Sequence, residues 1–188
     1  ALLDEVQAAV PEPRLVDVFR LKYDYHNAKA LVKGEATGAD VRRLLVSGGR
    51  YSCRQLLEGF QKDALSGVSA RFQQAVAAAR RTLADTRDPQ QCDILLDKAC
   101  YEEMARLAED CASPFLKGYV RLCADTANLR TAVRVARMGK GSDFLLHVLL
   151  PGGSVAESAL AAARPEDLGS LFQAGALEKA ARLGARAA

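Results

Sequence analysis

A 14-residue pattern occurs twice in this 188-residue chain. Residues 20–33, RLKYDYHNAKALVK, align with residues 121–134, RLCADTANLRTAVR, at an offset of 101 positions. Five of the 14 positions are identical, and two of these are an Asp and an Asn three residues apart, on one face of a helix. Repeats at this scale usually reflect structural units that stack on one another. The pattern therefore favours a scaffold over an enzyme.

The repeat continues beyond the helical pattern in both copies. Gly48–Gly49 and Gly152–Gly153 each follow an apolar run, and each precedes a Ser-x-x-Gln/Glu pattern that is typical of a capped helix start. Strand-like alternation of apolar and polar residues is missing. We predict an all-α fold in which each copy contains a long helix, a short helix, a Gly-Gly turn and a capped helix.

The order of these signals predicts two helical modules, residues 1–112 and residues 113–188. The second module is incomplete, because it lacks helices equivalent to those of residues 69–111. The first long helix is predicted to end at Gly34, with Lys29 and Lys33 beside its negative dipole end. The inward faces of the two long helices are predicted to be Leu21, Tyr25, Ala28 and Val32 in one, and Leu122, Thr126, Leu129 and Val133 in the other.

Composition excludes several function classes. A formal charge of +3, scattered along the chain, does not indicate a nucleic-acid-binding protein. No stretch reaches the roughly 18 uninterrupted apolar residues of a membrane span. The five cysteines are odd in number and form no Cys-x-x-Cys pair, so we expect buried thiols rather than zinc ligands or disulfides. We predict no catalytic residue, metal site or cofactor of its own.

The repeated polar pairs are Asp24 with Asn27, and Asp125 with Asn128. They could receive a partner, or they could form a structural clasp in which Asp accepts backbone N–H groups and Asn bridges a turn. Recurrence in both copies favours the clasp. The rival hypothesis is a helical enzyme that uses Asp24, His26 and Asn27 as acid-base groups.

Two basic features are less specific. Gly48–Gly49 with Arg50 could cradle a phosphate, but no P-loop Lys-Ser/Thr follows, so a turn is the better interpretation. Arg130, Arg134 and Arg137 share one helix face. Such a stripe is usually solvated, and it could also be an interaction face for acidic lipid or an acidic protein surface.

Four stretches carry a resemblance to a known family, in the expected order. They are residues 22–29 (KYDYHNAK), residues 93–101 (DILLDKACY), residues 125–131 (DTANLRT) and residues 149–153 (LLPGG). Together they resemble the C subunit of V-type/A-type ATP synthases, the counterpart of the d subunit of the vacuolar ATPase. The family has three related helical modules, and about two are found here, so we expect a central fragment.

The resemblance implies a funnel-like, non-catalytic subunit on the cytoplasmic face of the membrane. Such a subunit links the membrane proteolipid ring to the central shaft for ATP-linked proton or sodium transport, and it associates with the membrane only through the complex. The alternative is a helical-repeat adaptor that binds other proteins and is unrelated to ATPases.

Overall fold

The computed structural model describes residues 2–172 and 175–187, and all regular secondary structure in them is helical. The prediction of an all-α fold is therefore confirmed. The α-helices are α1 Leu2–Ala9, α2 Arg14–Thr37, α3 Cys53–Gln61, α4 Ala70–Thr86, α5 Pro89–Asp110, α6 Pro114–Arg137, α7 Ser142–Val148, α8 Glu157–Ala162, α9 Leu168–Leu171 and α10 Glu178–Ala187. Single 3-10 turns lie at Arg42–Leu44 and Pro165–Asp167.

The chain divides into two compact units, Ala1–Ser113 and Pro114–Ala188. In the first unit, α2, α4 and α5 pack against one another. The predicted inward face of α2 is buried, with Leu21 and Ala28 fully enclosed. Tyr25 of this face meets Phe72 of α4 edge to face, with the ring centroids 5.4 Å apart. This aromatic pair and the aliphatic residues around it form the centre of the first unit.

Side chains cap three helices of the first unit, and the first of them, Ser52, lies in the predicted Ser-x-x-Gln pattern. The Ser52 side chain accepts a hydrogen bond from the backbone N–H of Gln55, and Ser69 accepts one from Phe72. Asp88 accepts one from Gln90 at the start of α5. Each cap satisfies an N–H group that the first helical turn leaves without a partner.

The predicted end of α2 at Gly34 is wrong. The helix continues to Thr37 and ends at Gly38, which adopts the left-handed conformation with φ 67°. Lys33 contacts Asp93 at 2.9 Å instead of the helix dipole, and Lys29 contacts Asp97 at 2.6 Å. The two lysines therefore pair with carboxylates of α5, and they do not stabilise the C-terminal end of α2 as the sequence predicted. The short helix expected between α2 and the first Gly-Gly turn forms only the 3-10 turn Arg42–Leu44.

In the second unit, α6 packs against α7 and α10, and α10 also packs against α9. The core of this unit consists of buried aliphatic and aromatic side chains: Leu129, Ala132, Val135, Leu145, Leu149, Leu160, Ala161, Leu168, Phe172 and Ala181. The predicted inward stripe of α6 is wrong at two positions, because Thr126 is exposed and Leu122 is 41% exposed. The buried side of α6 is rotated towards Ala124, Asn128 and Ala132.

The predicted capping box at Ser154 is also wrong. Helix α8 begins three residues later, at Glu157, and Ala156 at its N-cap position makes no side-chain cap. The Ser154 side chain instead bonds to Asp125, as described below. Within the described ranges, no helix is both long enough and apolar enough to cross a membrane.

Candidate functional site

Two buried asparagines bind the segments that follow the 3-10 turn Arg42–Leu44 and helix α7. In the first unit, the Asn27 Nδ2 donates to the Val46 carbonyl at 2.9 Å, and the Val46 N–H donates to Oδ1 at 2.8 Å. In the second unit, Asn128 makes the same two bonds to Leu150, both at 2.8 Å. Each amide therefore satisfies both backbone groups of one residue from a separate chain segment.

Asp24 holds the turn that follows Gly48–Gly49. Its side chain is fully buried, and its Oδ1 accepts the backbone N–H of Tyr51 at 3.2 Å. Its Oδ2 accepts the Nε–H of Arg50 at 2.7 Å. Both carboxylate oxygens are thus engaged by the same short segment.

Asp125 holds the equivalent turn of the second unit with different partners. The backbone N–H of Ser154 donates to Oδ1 at 2.7 Å, and the Ser154 hydroxyl donates to Oδ2 at 2.5 Å. A neutral hydroxyl therefore stands where the first unit has a guanidinium.

A glycine lies directly against each of these carboxylates. A Cβ atom added to Gly49 would collide with Oδ1 of Asp24, and one added to Gly153 would collide with Oδ1 of Asp125. The second glycine of each Gly-Gly pair is therefore required for the close approach of the backbone to the carboxylate. We call the Asp, Asn and Gly of each unit the clasp: Asp24, Asn27 and Gly49 in the first unit, and Asp125, Asn128 and Gly153 in the second.

In the first unit, Arg50 extends the clasp to α5. Its Nη1 donates to Oε1 of Glu103 at 3.0 Å, so that one guanidinium lies between two buried carboxylates. The Tyr25 hydroxyl donates to Oε2 of Glu103 at 2.8 Å, and the Ser69 hydroxyl donates to Oε1 at 2.9 Å. This network of Asp24, Arg50, Glu103, Tyr25 and Ser69 ties the turn to α2, to the start of α4 and to α5.

Burial and pairing oppose each other in this network. Burial alone would lower the pKa of the Arg50 guanidinium, but its hydrogen bonds to Asp24 and Glu103 outweigh that effect and raise this pKa. Burial and the neighbouring Glu103 carboxylate raise the pKa of the Tyr25 hydroxyl above its ordinary value. The arginine stays charged and the tyrosine stays a hydrogen-bond donor, which is the state that the network requires.

A second arginine supports the same turn from the side of α2. Arg20 is 5% exposed, and its Nη1 donates to the Gly49 carbonyl at 2.9 Å, while its Nη2 pairs with Asp4 of α1. The equivalent residue of the second unit, Arg121, is exposed. The first unit therefore places two arginines, Arg20 and Arg50, against its turn, whereas the equivalent turn of the second unit is held by a carboxylate and a neutral hydroxyl.

The remaining predicted site residues lie outside the clasps. His26 is exposed, with its Nε2 3.1 Å from the Leu44 carbonyl oxygen. Arg130, Arg134 and Arg137 lie on α6: Arg130 and Arg134 are exposed, and the Nε–H of Arg137 donates to the Ala187 carbonyl at 2.5 Å. That they form an interaction face stays a prediction.

The cysteines form no disulfide, and in the part of the chain that the structure describes no cluster of His, Cys, Asp and Glu could hold a metal ion. Cys92 and Cys100 are buried. Burial, followed by the nearby acidic residues, raises the pKa of the Cys100 thiol to about 12, so this thiol is not a nucleophile at neutral pH.

Comparison with known proteins gives one family. The family model described as ATP synthase (C/AC39) subunit matches residues 2–180. The C subunit of the V-type sodium ATPase of Enterococcus hirae is 23% identical over 159 residues, which is 85% of this chain and 48% of that protein. The C subunit of the V-type ATP synthase of Thermus thermophilus is 31% identical over 132 residues, 68% of this chain and 41% of that protein.

The chain thus spans about half the length of the curated relatives it matches. No solved structure is significantly similar to it.

Proposed function

Because the chain belongs to the ATP synthase (C/AC39) subunit family, we propose that it is a coupling subunit in the rotor of a V/A-type ATPase. In this role it links the membrane proteolipid ring to the central shaft, on the cytoplasmic face of the membrane. It works in ATP-linked proton or sodium transport and is not itself the catalyst. The observation that carries this proposal is the family match, which extends over residues 2–180.

The geometry of the repeated polar pairs supports a non-catalytic role. Asp24 and Asn27 are completely buried, and their side-chain oxygens accept hydrogen bonds from the protein itself. A general base needs to reach the proton of a bound substrate, which these groups do not do. His26, the third member of the alternative acid-base cluster, is exposed and lies against the Leu44 carbonyl.

The buried network suits a subunit that transmits force. Arg50 connects α2 and α5 through two charged hydrogen bonds, and Glu103 accepts three bonds from different segments. Charged hydrogen bonds of good geometry in a dry interior restrict the relative movement of the elements they join. A subunit that transmits torque between two partners needs to be rigid, and this network would make the first unit rigid.

The basic face of α6, formed by Arg130, Arg134 and Arg137, is part of the same proposal as an interaction surface. All three arginines are exposed.

A pull-down from native membranes tests the rotor assignment. The baits are the 188-residue chain and a version extended at both ends, each checked for folding by far-UV circular dichroism. Recovery of shaft subunits and the proteolipid ring by the extended bait is the expected result. Recovery by the shorter bait as well locates a binding surface within residues 1–188.

Two variants serve as controls in this experiment. His26→Ala removes the exposed histidine of the rival enzyme hypothesis, and it should leave recovery unchanged.

If neither bait recovers an ATPase component while both are folded, the rotor proposal is wrong, and the helical-repeat adaptor becomes the better explanation. The second control, Arg50→Ala, perturbs the network of the first unit, so any loss of recovery with it reports on the integrity of that unit.

A further inference from the structure

An aliphatic groove lies in the first unit, where α2 and α4 end and α5 begins. Its volume is about 820 Å³, which is within the range of about 300–1,000 Å³ that is usual for small-molecule sites. The C-terminal turns of α2 and α4, the start of α5 and residues of the segment 39–44 line it. Most of these lining residues are Ala, Val, Leu, Pro or Gly.

One wall of the groove is the segment that follows α2, and this segment folds back onto the helix. The backbone N–H groups of Gly38 and Ala39 both donate to the Gly34 carbonyl. Val41 then packs so closely on Gly34 that a Cβ atom added to this glycine would collide with the valine side chain. The fold of the first unit therefore forms the groove by itself, with no ligand present.

The lining residues offer a ligand no free uncharged polar side chain. Thr37 is the one uncharged polar residue among them, and its hydroxyl donates to the Lys33 carbonyl at 2.9 Å. Of the aliphatic lining residues, Ala30 and Leu83 are buried, whereas Leu44 is 58% exposed. A hydrocarbon chain suits such a surface, because it needs no hydrogen-bond partner and removes exposed aliphatic side chains from water.

The charged residues of the lining are all basic. They are Lys33 and Arg87, and neither Asp nor Glu lines the groove. Lys33 is paired with Asp93 at 2.9 Å. Arg87 is exposed, and its side chain has no ion pair or hydrogen bond among the residues that the structure describes. A guanidinium in this state can bind a carboxylate through two parallel N–H donors.

The backbone of Arg87 is an independent reason to assign its side chain a role. Arg87 ends α4 in the left-handed conformation, with φ 54°, at a position where glycine is favoured. Gly38 occupies the equivalent position at the end of α2, with φ 67°. A non-glycine residue held in this conformation is strained, and such strain is typical of positions where the side chain is used.

We propose that this groove binds a free fatty acid. The carboxylate pairs with Arg87, and the hydrocarbon chain covers the aliphatic lining residues of α2 and α4. One anionic head on an apolar body matches one unpaired cation beside an aliphatic groove. The proposal does not depend on the rotor role, because the residues that carry it all belong to the first unit and none belongs to a clasp.

Isothermal titration calorimetry of the full chain with decanoate and dodecanoate, below their micelle concentrations, tests this assignment. We expect saturable binding of one ligand per chain. Dodecanoate should bind about 15-fold more tightly than decanoate, since each buried methylene contributes about fourfold. Dodecyltrimethylammonium has the same chain length and a cationic head, and it should bind about tenfold more weakly than dodecanoate or worse. Absence of saturable binding, no gain with chain length, or equal affinity for both heads would overturn the proposal.

Arg87→Gly separates binding from folding. The change removes the guanidinium and relieves the left-handed backbone, so the Tm should not fall, while dodecanoate binding weakens about tenfold or more. Arg81→Gln is the matched control, because Arg81 is an exposed arginine of the same helix that does not line the groove. It should leave dodecanoate binding unchanged. Undiminished binding by the Arg87→Gly variant contradicts the assignment of the carboxylate to this residue.

Ala84→Phe fills the groove from an exposed position on α4, and it should abolish dodecanoate binding. Ala70→Phe, at an exposed position at the start of the same helix, is its control and should bind as the parent does. If the parent binds no fatty acid and Ala84→Phe instead loses a subunit from the membrane pull-down, the groove is a protein-docking surface and the proposal is wrong. Fatty-acid binding by a chain that recovers no ATPase component would support this proposal while overturning the rotor role.

Discussion

The two clasps hold equivalent backbone turns, but they pair the Asp carboxylate with groups of different charge. In both units an Asn satisfies both backbone groups of one residue, and an Asp approaches a Gly that leaves room for it. In the first unit, however, the carboxylate is paired with Arg50, which in turn pairs with Glu103. In the second, Ser154 fills that position. The shared part is a turn-holding device, and the part that differs determines how firmly the turn is joined to the rest of its unit.

The largest expected difference between the two units follows from truncating the residue after the second glycine of each turn. That residue is Arg50 in the first unit and Ser154 in the second. Arg50→Ala leaves Asp24 and Glu103 buried without a cation, and breaking such a buried pair costs about 3–5 kcal/mol of unfolding free energy. Ser154→Ala removes one hydroxyl bond while the backbone N–H bond to Asp125 remains, and it should cost about 1 kcal/mol.

Urea unfolding followed by circular dichroism measures both values, and hydrogen exchange locates the loss in one unit or the other. Arg54→Ala is the matched control for Arg50, because Arg54 is 88% exposed and pairs only along its own helix. It should change the unfolding free energy by less than about 0.5 kcal/mol. Equal effects of Arg50→Ala and Ser154→Ala would contradict the difference drawn between the two clasps.

The asparagines should behave alike in the two units. Asn27→Ala leaves the N–H and C=O of Val46 without their partners, and Asn128→Ala does the same to Leu150. Each change is expected to cost about 2–3 kcal/mol, since it removes two hydrogen bonds to partly buried backbone groups. Equilibrium urea titration of the two variants gives the comparison. A variant that unfolds at the same urea concentration as the parent shows that its Asn is not part of a stabilising clasp.

The sequence predicts the parts of this arrangement that repeat or that follow local rules. The spacing of Asp24 and Asn27 and its recurrence at Asp125 and Asn128 point to inward polar pairs, and the cap at Ser52 follows from local helix chemistry. Their role in stability stays a prediction.

Glu103 could not be found in this way. It lies 78 residues from Tyr25 and 53 from Arg50 along the chain, and nothing in its own helix marks it as buried. A usable signal did exist for α5: Asp93 and Asp97 have the same spacing as Lys29 and Lys33, which they contact. The error at Ser154 has a different cause, since a serine before Glu fits a capping box locally but is engaged by a distant carboxylate.

The glycines next to the carboxylates should also respond alike. Gly49→Ala and Gly153→Ala each place a methyl group against a buried Asp oxygen, and the carboxylate must move from its N–H donors. Such overpacking is expected to cost about 1–3 kcal/mol in each unit. Gly118→Ala is a matched control, because a Cβ there meets no atom within 4 Å. Within a helix this control change should be neutral or slightly stabilising in thermal denaturation.

The smallest expected effect is a pH dependence of the unfolding free energy that only the first unit should show. Tyr25 donates to Glu103, whereas Thr126, its counterpart in the second unit, is exposed and bonds to the Leu122 carbonyl of its own helix. Because the pKa of Tyr25 is raised in the folded protein, its contribution to stability is complete below about pH 10, the ordinary value. It is lost above that pH, by about 1.4 kcal/mol per pH unit for this single group. Tyr25→Phe should cost about 1.5 kcal/mol at neutral pH, since it removes a hydrogen bond to a charged group.

That cost should shrink as the pH rises from 10, since the variant has no proton to lose at this position. Thr126→Val, which removes an exposed hydroxyl, should track the parent at neutral pH and show the same decline above pH 10. Urea titrations of the three proteins between pH 7 and about pH 11 measure both trends. A constant gap between the parent and Tyr25→Phe over that interval would mean that the tyrosine does not act as the protonated donor to Glu103. The contrast between the two clasps would then rest on the arginines of the first unit, Arg50 and Arg20.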